Sequence, residues 1–399
     1  MASRLLTINA GSSSLRSAVY DLDAVTRPLV AAQISRIGLK PSRMRISDSD
    51  GATLLDKEVP LSEHASAFRE WFGWLREQGL DEGIAAAGHR VVHGGLDFVQ
   101  PQLVTDELLT SLEELAALDP EHTRQAVAGI RLAAESLPKA LQVACFDTAF
   151  HRDMPLVAQR YALPRRYTDA GVIRFGFHGL SYEYVMQELA AMDPGAARGR
   201  VIIAHLGNGA SMAAVRDGVC IDTTMGFTPA GGLVMSSRSG DLDPGVLIHL
   251  LRRDGLGAEA LNRLVNSESG LLGVSGMSGD MADLLEVEAS DPRAAEAVAL
   301  FCYQAKKFLA GLAAALGGVD ALVFTAGIGE NAPAVRQRIC DGLGFLGVEL
   351  EPALNEENAP VISATGGRVT VRVMKTDEDL MIARHVKRLI SQGGIHASV

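Results

Sequence analysis

The sequence predicts an α/β protein of two domains built by duplication, and three observations predict it. The chain has 399 residues; a single domain commonly takes about 100–200, so two are expected. Short strand-like runs joined by Gly, Ser and Asp turns alternate with helical periodicities, the mixture of an α/β chain. The order strand, Gly/Ser turn, strand at Arg4–Asp21 restarts at Arg200–Arg216, an offset of about 196 residues. A cleft between two such halves is the expected place for a ligand.

Arg4–Ile8 is an apolar run ending in the turn-rich Asn9–Ser14, and Leu15–Asp21 resumes as a strand. Leu29–Ile37, Met44–Ser47 and Thr53–Val59 follow as strands, the last two separated by Asp50-Gly51, a hairpin signal. Glu63–Gln78 reads as a helix, and Ile84–Val92 as a strand running into His93-Gly94-Gly95. Asp106–Leu118 places Leu108, Leu109, Leu112 and Leu115 on one helical face. Gln142–Ala149 is a short buried strand carrying Asp147. The second half opens with strands Arg200–His205, Ala210–Arg216 and Val219–Thr224, separated by Gly207-Asn208-Gly209 and Asp217-Gly218. Asp291 as N-cap and Pro292 at the first helical position start a long Ala/Leu-rich helix that Gly317-Gly318 stops. Asp320–Thr325 is a strand feeding a Gly-rich turn, Ala326–Asn331; Pro333 opens another helix, and an amphipathic helix over about Asp379–Ile390 ends the pattern.

Composition narrows the function. Hydrophobic residues make up 47% and charged residues 21%, enough apolar material for a full core. The net charge of −11 and a pI near 5.4 argue against a nucleic-acid partner, which needs a basic face. Mean hydropathy is +0.14, but the longest uncharged apolar stretch, Phe308–Val319, holds three glycines and falls short of the ~18–20 residues a span needs. Met1–Gly11 does not read as a signal peptide. Cys145, Cys220, Cys302 and Cys340 lie far apart and read as reduced core thiols. A cytoplasmic protein without membrane association is expected.

Three Gly-rich turns follow predicted strands: Asn9–Ser14, Gly207–Ser211 and Gly327–Asn331. Singly each reads as a tight turn; together, in a duplicated chain, they point to nucleotide phosphates, because glycine lets backbone N–H groups approach an anion. None matches the P-loop or the dinucleotide fingerprint. Arg90, ending an apolar strand, and Arg238, in Ser236-Ser237-Arg238-Ser239-Gly240-Asp241, are candidates to grip a carboxylate or phosphoryl group. Asp147 and Glu378 are candidate Mg²⁺ ligands or bases. His178 and His205 have no metal-ligand spacing, so zinc is not expected. The residues alone support a phosphate-handling α/β enzyme with two arginines and two acids.

The motifs carry further. Thr7–Leu15, Gly88–Gly95, Phe146–His151, Gly176–Gly179, His205–Ser211, Met225–Pro229, Arg238–Pro244, Ser269–Gly273 and Phe324–Asn331 resemble the acetate kinase family, in the family's order across nearly the whole chain. The resemblance implies a duplicated actin-like ATPase fold, ribonuclease H-like in each half, with ATP in an interdomain cleft. It implies domain I over 1–149 plus a C-terminal helix at 380–399, on the acyl and phosphate side. Domain II, 150–379, would bind nucleotide and dimerise. The implied reaction is reversible phosphoryl transfer between ATP and acetate giving acetyl phosphate and ADP, with Mg²⁺ (Mn²⁺ as the alternative ion), in a homodimer. A propionate kinase, or a carboxylate kinase using another donor, is the alternative.

By motif position, Arg90 would hold the carboxylate, Arg238 the transferring phosphoryl group, and His178 one of its oxygens. Asp147, Glu378 and Asn9 would position Mg²⁺ and phosphates. Val92, Phe177 and Pro229 would face the acyl methyl. Arg16, His205, Leu206, Gly207, Asn208 and Gly209 would line the phosphates. Asp280, Met281 and Ala282 form the family's nucleotide segment, and Gly327, Ile328, Gly329, Glu330 and Asn331 would surround the adenosine and α-phosphate. Arg90→Ala and Arg238→Ala are each expected to cut turnover with the chain still folded. Departures from the family pattern are Arg16 for Lys, Asp119–Arg124 with Leu118, Glu121 and His122 near the acyl pocket, Tyr182 for His, Ala282 for Arg, and Asp377-Glu378-Asp379 for Asn-Glu-Glu. They bear on acyl selectivity and nucleotide preference.

Overall fold

The computed structural model describes residues 3–11, 13–39, 41–115 and 120–393. The first half runs β1 (Arg4–Gly11), β2 (Ser14–Asp21), β3 (Val30–Ser35), β4 (Ser42–Asp48), β5 (Thr53–Val59), α1 (His64–Glu77), β6 (Ile84–Val91), β7 (Gln102–Leu103), α2 (Asp106–Leu115), α3 (Pro120–Ser136) and β8 (Leu141–Phe146). Then come α4 (Leu156–Gln159), α5 (Arg165–Asp169), α6 (Gly179–Met192), α7 (Pro194–Arg198), β9 (Arg200–Leu206), β10 (Ala210–Arg216) and β11 (Val219–Thr223). Four helices follow: α8 (Pro244–Arg253), α9 (Ala258–Ser267), α10 (Gly270–Ser275) and α11 (Met281–Val287). The chain continues with α12 (Pro292–Leu316), β12 (Ala321–Thr325), α13 (Ala326–Asn331), α14 (Pro333–Cys340), α15 (Pro352–Glu356), β13 (Thr370–Val373) and α16 (Glu378–Gly393).

Two compact units result. Unit 1 is Met1–Ala149, Gly179–Tyr184 and Asp377–Val399; unit 2 is Phe150–His178 and Val185–Thr376. Relative to the boundaries expected from sequence, Gly179–Tyr184 belongs with unit 1 and the returning segment starts at Asp377. Leu180 packs in the same buried cluster as Leu380, Ile382 and Val386, and the Asp377 carboxylate accepts the Leu380 N–H at 2.8 Å, capping the returning helix.

The unit 1 sheet has strand order β5-β4-β3-β2-β1-β6-β8-β7 and the unit 2 sheet β11-β10-β9-β12-β13. From β3 to β8 the first sheet repeats the second: an antiparallel meander of three strands followed by two parallel strands. The duplication is therefore one of connectivity.

In unit 1, β2 alternates its faces. Leu15 and Val19 join Trp71 and Phe68 of α1 on one side, while Ala18 and Tyr20 join α16 on the other. One polar chain crosses the first core: Trp71 Nε1 donates to Ser17 Oγ at 2.8 Å, and Ser17 Oγ donates to the Thr7 carbonyl. The α16 face sits so close to β6 that a Cβ on Gly88 would lie 2.5 Å from Ile382 Cγ2 and 2.6 Å from Val386 Cγ2. In unit 2, α12 starts as its sequence dictates: Asp291 accepts the N–H groups of Arg293 and Ala294, Pro292 occupies the first turn, and Gly317 ends it at φ +74°. No helix among the described residues is long and apolar enough to cross a membrane.

Two local expectations change. β1 runs on to Gly11, so Asn9 is a strand residue paired with Arg16 rather than a turn residue. Ala326–Asn331 is a short helix, not a turn; Ala326 enters it at φ +66° with its N–H held by Glu330 Oε1 at 2.8 Å. Leu118 and the side chains of Glu121 and His122 lie outside what the structure describes.

Candidate active site

In unit 1 the neighbouring parallel strands β1, β6 and β8 bring Asn9, Arg90 and Asp147 to their carboxyl ends, where open α/β sheets commonly bind ligands. Glu378 joins them as the first residue of α16. Arg90 donates from Nε (3.0 Å) and Nη2 (2.5 Å) to Asp147 Oδ2, and from Nη1 to Asn9 Oδ1 at 3.2 Å. Glu378 Oε2 lies 3.9 Å from Arg90 Nη1 and accepts from Asn9 Nδ2 at 2.8 Å. Burial works against the Arg90 charge, but the Asp147 and Glu378 carboxylates outweigh it and hold the guanidinium pKa above its ordinary value. Next to this cluster, burial and then the Asp377 charge push Asp379 up to about 7, with Arg16 opposing; Thr7 Oγ1 donates to Asp379 Oδ1 at 3.1 Å. Arg16 and Asp379 line a polar cleft of about 280 Å³ with Gln33 and Arg45.

One guanidinium against two carboxylates leaves a negative excess beside a fixed cation. Asp147, Glu378 and the Asn9 amide are hard oxygen donors, which suits Mg²⁺. No group of three or more His, Cys, Asp or Glu among the described residues forms a metal cage. Mg²⁺ does not need one, since it is usually held by one or two carboxylates together with phosphates and water. The residues fit the ion.

In unit 2 the β9–β10 hairpin pairs His205 with Ser211 across the strands. His178, in left-handed backbone at φ +59° just before α6, reaches the same pair. Its Nδ1 lies 2.8 Å from Ser211 Oγ, and its ring stacks on that of His205, centroids 4.1 Å apart and planes 18° from parallel. A Cβ on Gly209 would stand 3.1 Å from His178 Nε2 and 3.6 Å from Arg238 Nη1, so the bare glycine lets imidazole and guanidinium converge. Arg238 Nη1 also meets the Pro229 carbonyl at 3.4 Å. Its backbone is seated by Gly270, at φ +63°, where any Cβ would fall 2.8 Å from the Arg238 carbonyl oxygen.

The three expected nucleotide segments come together in this unit. Ser236 N–H donates to the Asn208 carbonyl at 3.1 Å, and a Cβ on Gly279 would lie 2.8 Å from the Ser236 carbonyl oxygen. A Cβ on Gly207 would lie 3.6 Å from Ala326 Cβ, and one on Gly329 3.7 Å from Leu206 Cβ. Several of their side chains have internal tasks. Asp280 caps α11 by accepting the Ala282 N–H at 2.8 Å, and Met281 is buried while Ala282 is exposed. Glu330 Oε1 also takes the Thr376 N–H, and Asn331 Nδ2 donates to the Gly327 carbonyl at 2.9 Å. Ile328 is half-buried. Phe177 and Pro229 of unit 2 and Val92 of unit 1 are buried apolar side chains. Arg174 holds the chain that leads into 225–229, its Nη1 donating to the Thr223, Thr224 and Met225 carbonyls. All four cysteines are buried and free.

Sequence reasoning gave no role to Ser211 or Gly270. Both lie in motifs it singled out, but a serine in a strand and a glycine after a serine carry no signal of their neighbours in space.

The acetokinase family model matches residues 4–384. An acetate kinase of Methylocella silvestris is 45% identical over 98% of this chain and 99% of its own length. One of Rhodopseudomonas palustris is 46% identical over 98% and 100%. Among solved structures, Porphyromonas gingivalis acetate kinase superposes with a TM-score of 0.86 at 36% identity, covering 98% of this chain and 100% of that one. A propionate kinase from Francisella tularensis gives 0.89 at 34% identity, covering 96% and 98%. Each unit's meander-plus-parallel sheet is thus one half of the duplicated actin-like ATPase fold. Matched by the family model over residues 4–384 and by acetate kinases along nearly its whole length, this chain belongs to the acetokinase family.

Proposed function

We propose that this protein is an acetate kinase, reversibly transferring a phosphoryl group between ATP and acetate to give acetyl phosphate and ADP. The observation that carries the reading is the gathering of Asn9, Arg90, Asp147 and Glu378 in a chain 45% identical, along its length, to a protein of that name. Arg90 takes the substrate carboxylate. Acetate is already ionised at pH 7, so the acceptor needs no general base. Val92, Phe177 and Pro229 give the methyl group an apolar wall. A wall of this kind separates acids differing by one methylene by only ~10–200-fold, so propionate is a second substrate.

Arg238 and His178 take the oxygens of the transferring phosphoryl group. A loose, metaphosphate-like transition state asks the protein for positioning and charge neutralisation more than for bond-making. Preorganised donors of this kind are typically worth ~3–4 kcal/mol each. Mg²⁺, or Mn²⁺ in its place, bound by Asp147, Glu378 and Asn9 supplies further neutralisation of phosphate charge. His205 to Gly209 and Arg16 line the phosphates, Gly327 to Asn331 the adenosine and α-phosphate, and Asp280 to Ala282 the nucleotide. The enzyme works in the cytoplasm as a homodimer formed through unit 2, with no nucleic acid or membrane as partner.

Trapping the acyl phosphate with hydroxylamine tests the reading, with acetate, propionate and butyrate compared at fixed Mg-ATP and then across a panel of phosphoryl donors. Acetate hydroxamate formed with ATP is the expected result. None from any acid with any donor would overturn it, and a propionate preference would make the protein a propionate kinase.

A further inference from the structure

We propose that Tyr161 is a positioning residue for the acyl wall: its hydroxyl fixes the chain at Gly226–Phe227 and thereby sets how strictly the site separates acetate from longer acids. This deepens the function proposed above and rests on its placing of Pro229 in that wall.

The segment Met225–Pro229 belongs to no helix or strand, so its backbone groups need partners from elsewhere in unit 2. Arg174 takes the carbonyls that lead into it, and the Phe175 N–H donates to the Gly226 carbonyl at 3.0 Å. Tyr161 Oη accepts the Phe227 N–H at 2.7 Å. A backbone amide can only donate, so the direction of this bond is fixed. Pro229 is buried two residues further on.

Tyr161 is itself held in place. Arg160 and Ile173 form an antiparallel bridge, and the Arg174 N–H donates to the Gln159 carbonyl at 2.7 Å. The Arg174 guanidinium lies over the Tyr161 ring, 5.7 Å from its centroid, and its Nε donates to the Ala158 carbonyl at 3.2 Å. Both side chains that tether the loop therefore stand on one short seam. Gly226 is matched to the hydroxyl: a Cβ there would overlap Tyr161 Oη, so only glycine lets that oxygen reach the next amide. Without the oxygen, the Phe227 N–H loses its acceptor and space opens beside Gly226. The chain then settles into that space, and a wall that yields discriminates less against an extra methylene.

The test is Tyr161→Phe, read by hydroxylamine trapping with acetate and propionate at saturating Mg-ATP and by hydrogen exchange over 225–229. Exchange should speed at the Phe227 amide. The acetate-to-propionate ratio of kcat/KM should fall by about 3–10-fold. The fall should come through a higher KM for acetate, with KM for ATP within about twofold of the parent. Gly226→Ala leaves Tyr161 in the chain but drives its oxygen off the amide, so it should shift the ratio the same way. An unchanged ratio in both variants, or an unchanged exchange rate at Phe227 in Tyr161→Phe, would overturn the proposal. So would a rise in both KM values at a constant ratio, the mark of a general loosening of unit 2. The underlying reading fails separately. If Pro229→Ala leaves the ratio unmoved, Pro229 is not in the wall and the proposal goes with it; if the parent forms neither hydroxamate, the function itself is wrong.

Discussion

Arg90 holds Asp147 and is also the proposed grip for the substrate carboxylate, and the first task changes what a substitution will do. Asp147 is completely buried and takes two of the guanidinium's hydrogen bonds. Arg90→Ala is therefore expected to abolish turnover and also to cost ~3–5 kcal/mol of stability, because it strands a buried carboxylate. The sequence alone predicts only that the variant loses turnover with the chain still folded; the structure adds the stability cost. In Arg90→Ala/Asp147→Asn, urea unfolding should recover part of the loss while activity stays absent; if the double variant is no more stable than the single, the stranded charge is not the cause. A second residue-scale expectation concerns pH. Burial lowers His89 to about 4, with only its Gln142 hydrogen bond opposing. The unfolded chain therefore takes up this proton first, so the stabilisation is complete above pH ~6.5 and is lost as pH falls towards 4. His89→Gln should flatten stability against pH in that window, measured by denaturant unfolding at each pH; an unchanged slope would count against it. Each charged residue of the site was legible from its motif. Their contacts were not, since Arg90 and Asp147 lie 57 positions apart and Asn9 and Glu378 lie 369 apart.

Elements were legible where local chemistry is redundant. α12 has its cap, its proline and its stop glycine, and the meander strands are punctuated by turns. Those without such signals were missed. α6 begins from a left-handed histidine with no side-chain cap; α8 does carry the Asp243 cap and Pro244, but like α9 it contributes no buried residue to mark a core-facing stripe. β13 is a four-residue edge strand defined by its pairing with β12. α13 hides behind Gly327 and Gly329, which read as a turn but lie within a helix. Gly88 makes the same point as a prediction. It has no turn to make; it exists because α16 lies directly on β6. Gly88→Ala should lower stability by ~1–3 kcal/mol through overpacking and speed amide exchange in α16, and an unperturbed melting curve would refute this.

At the scale of the molecule, a −11 chain would serve the anionic substrates proposed for it through a few placed cations rather than an overall basic surface: Arg90 stands at the carboxyl end of β6 and Arg238 beside the β9–β10 turn. Each unit does so with one copy of the same sheet connectivity, but unit 1 alone is sewn together from both ends of the sequence. A chain stopped after Thr376 would lack Leu380, Met381, Ile382, Ala383 and Val386, leaving Leu5, Ala18, Tyr20 and Ala86 uncovered. Such a truncation should make unit 1 sensitive to limited proteolysis; full protease resistance would contradict it. The same seam has a consequence for synthesis. At about 5–20 residues per second, roughly 20–70 s separate the emergence of β1 from that of α16. Throughout that interval the nascent sheet presents an uncovered apolar face to the cell, so β1 and β2 are made long before the helix that covers them, and the yield depends on what shelters them in the meantime.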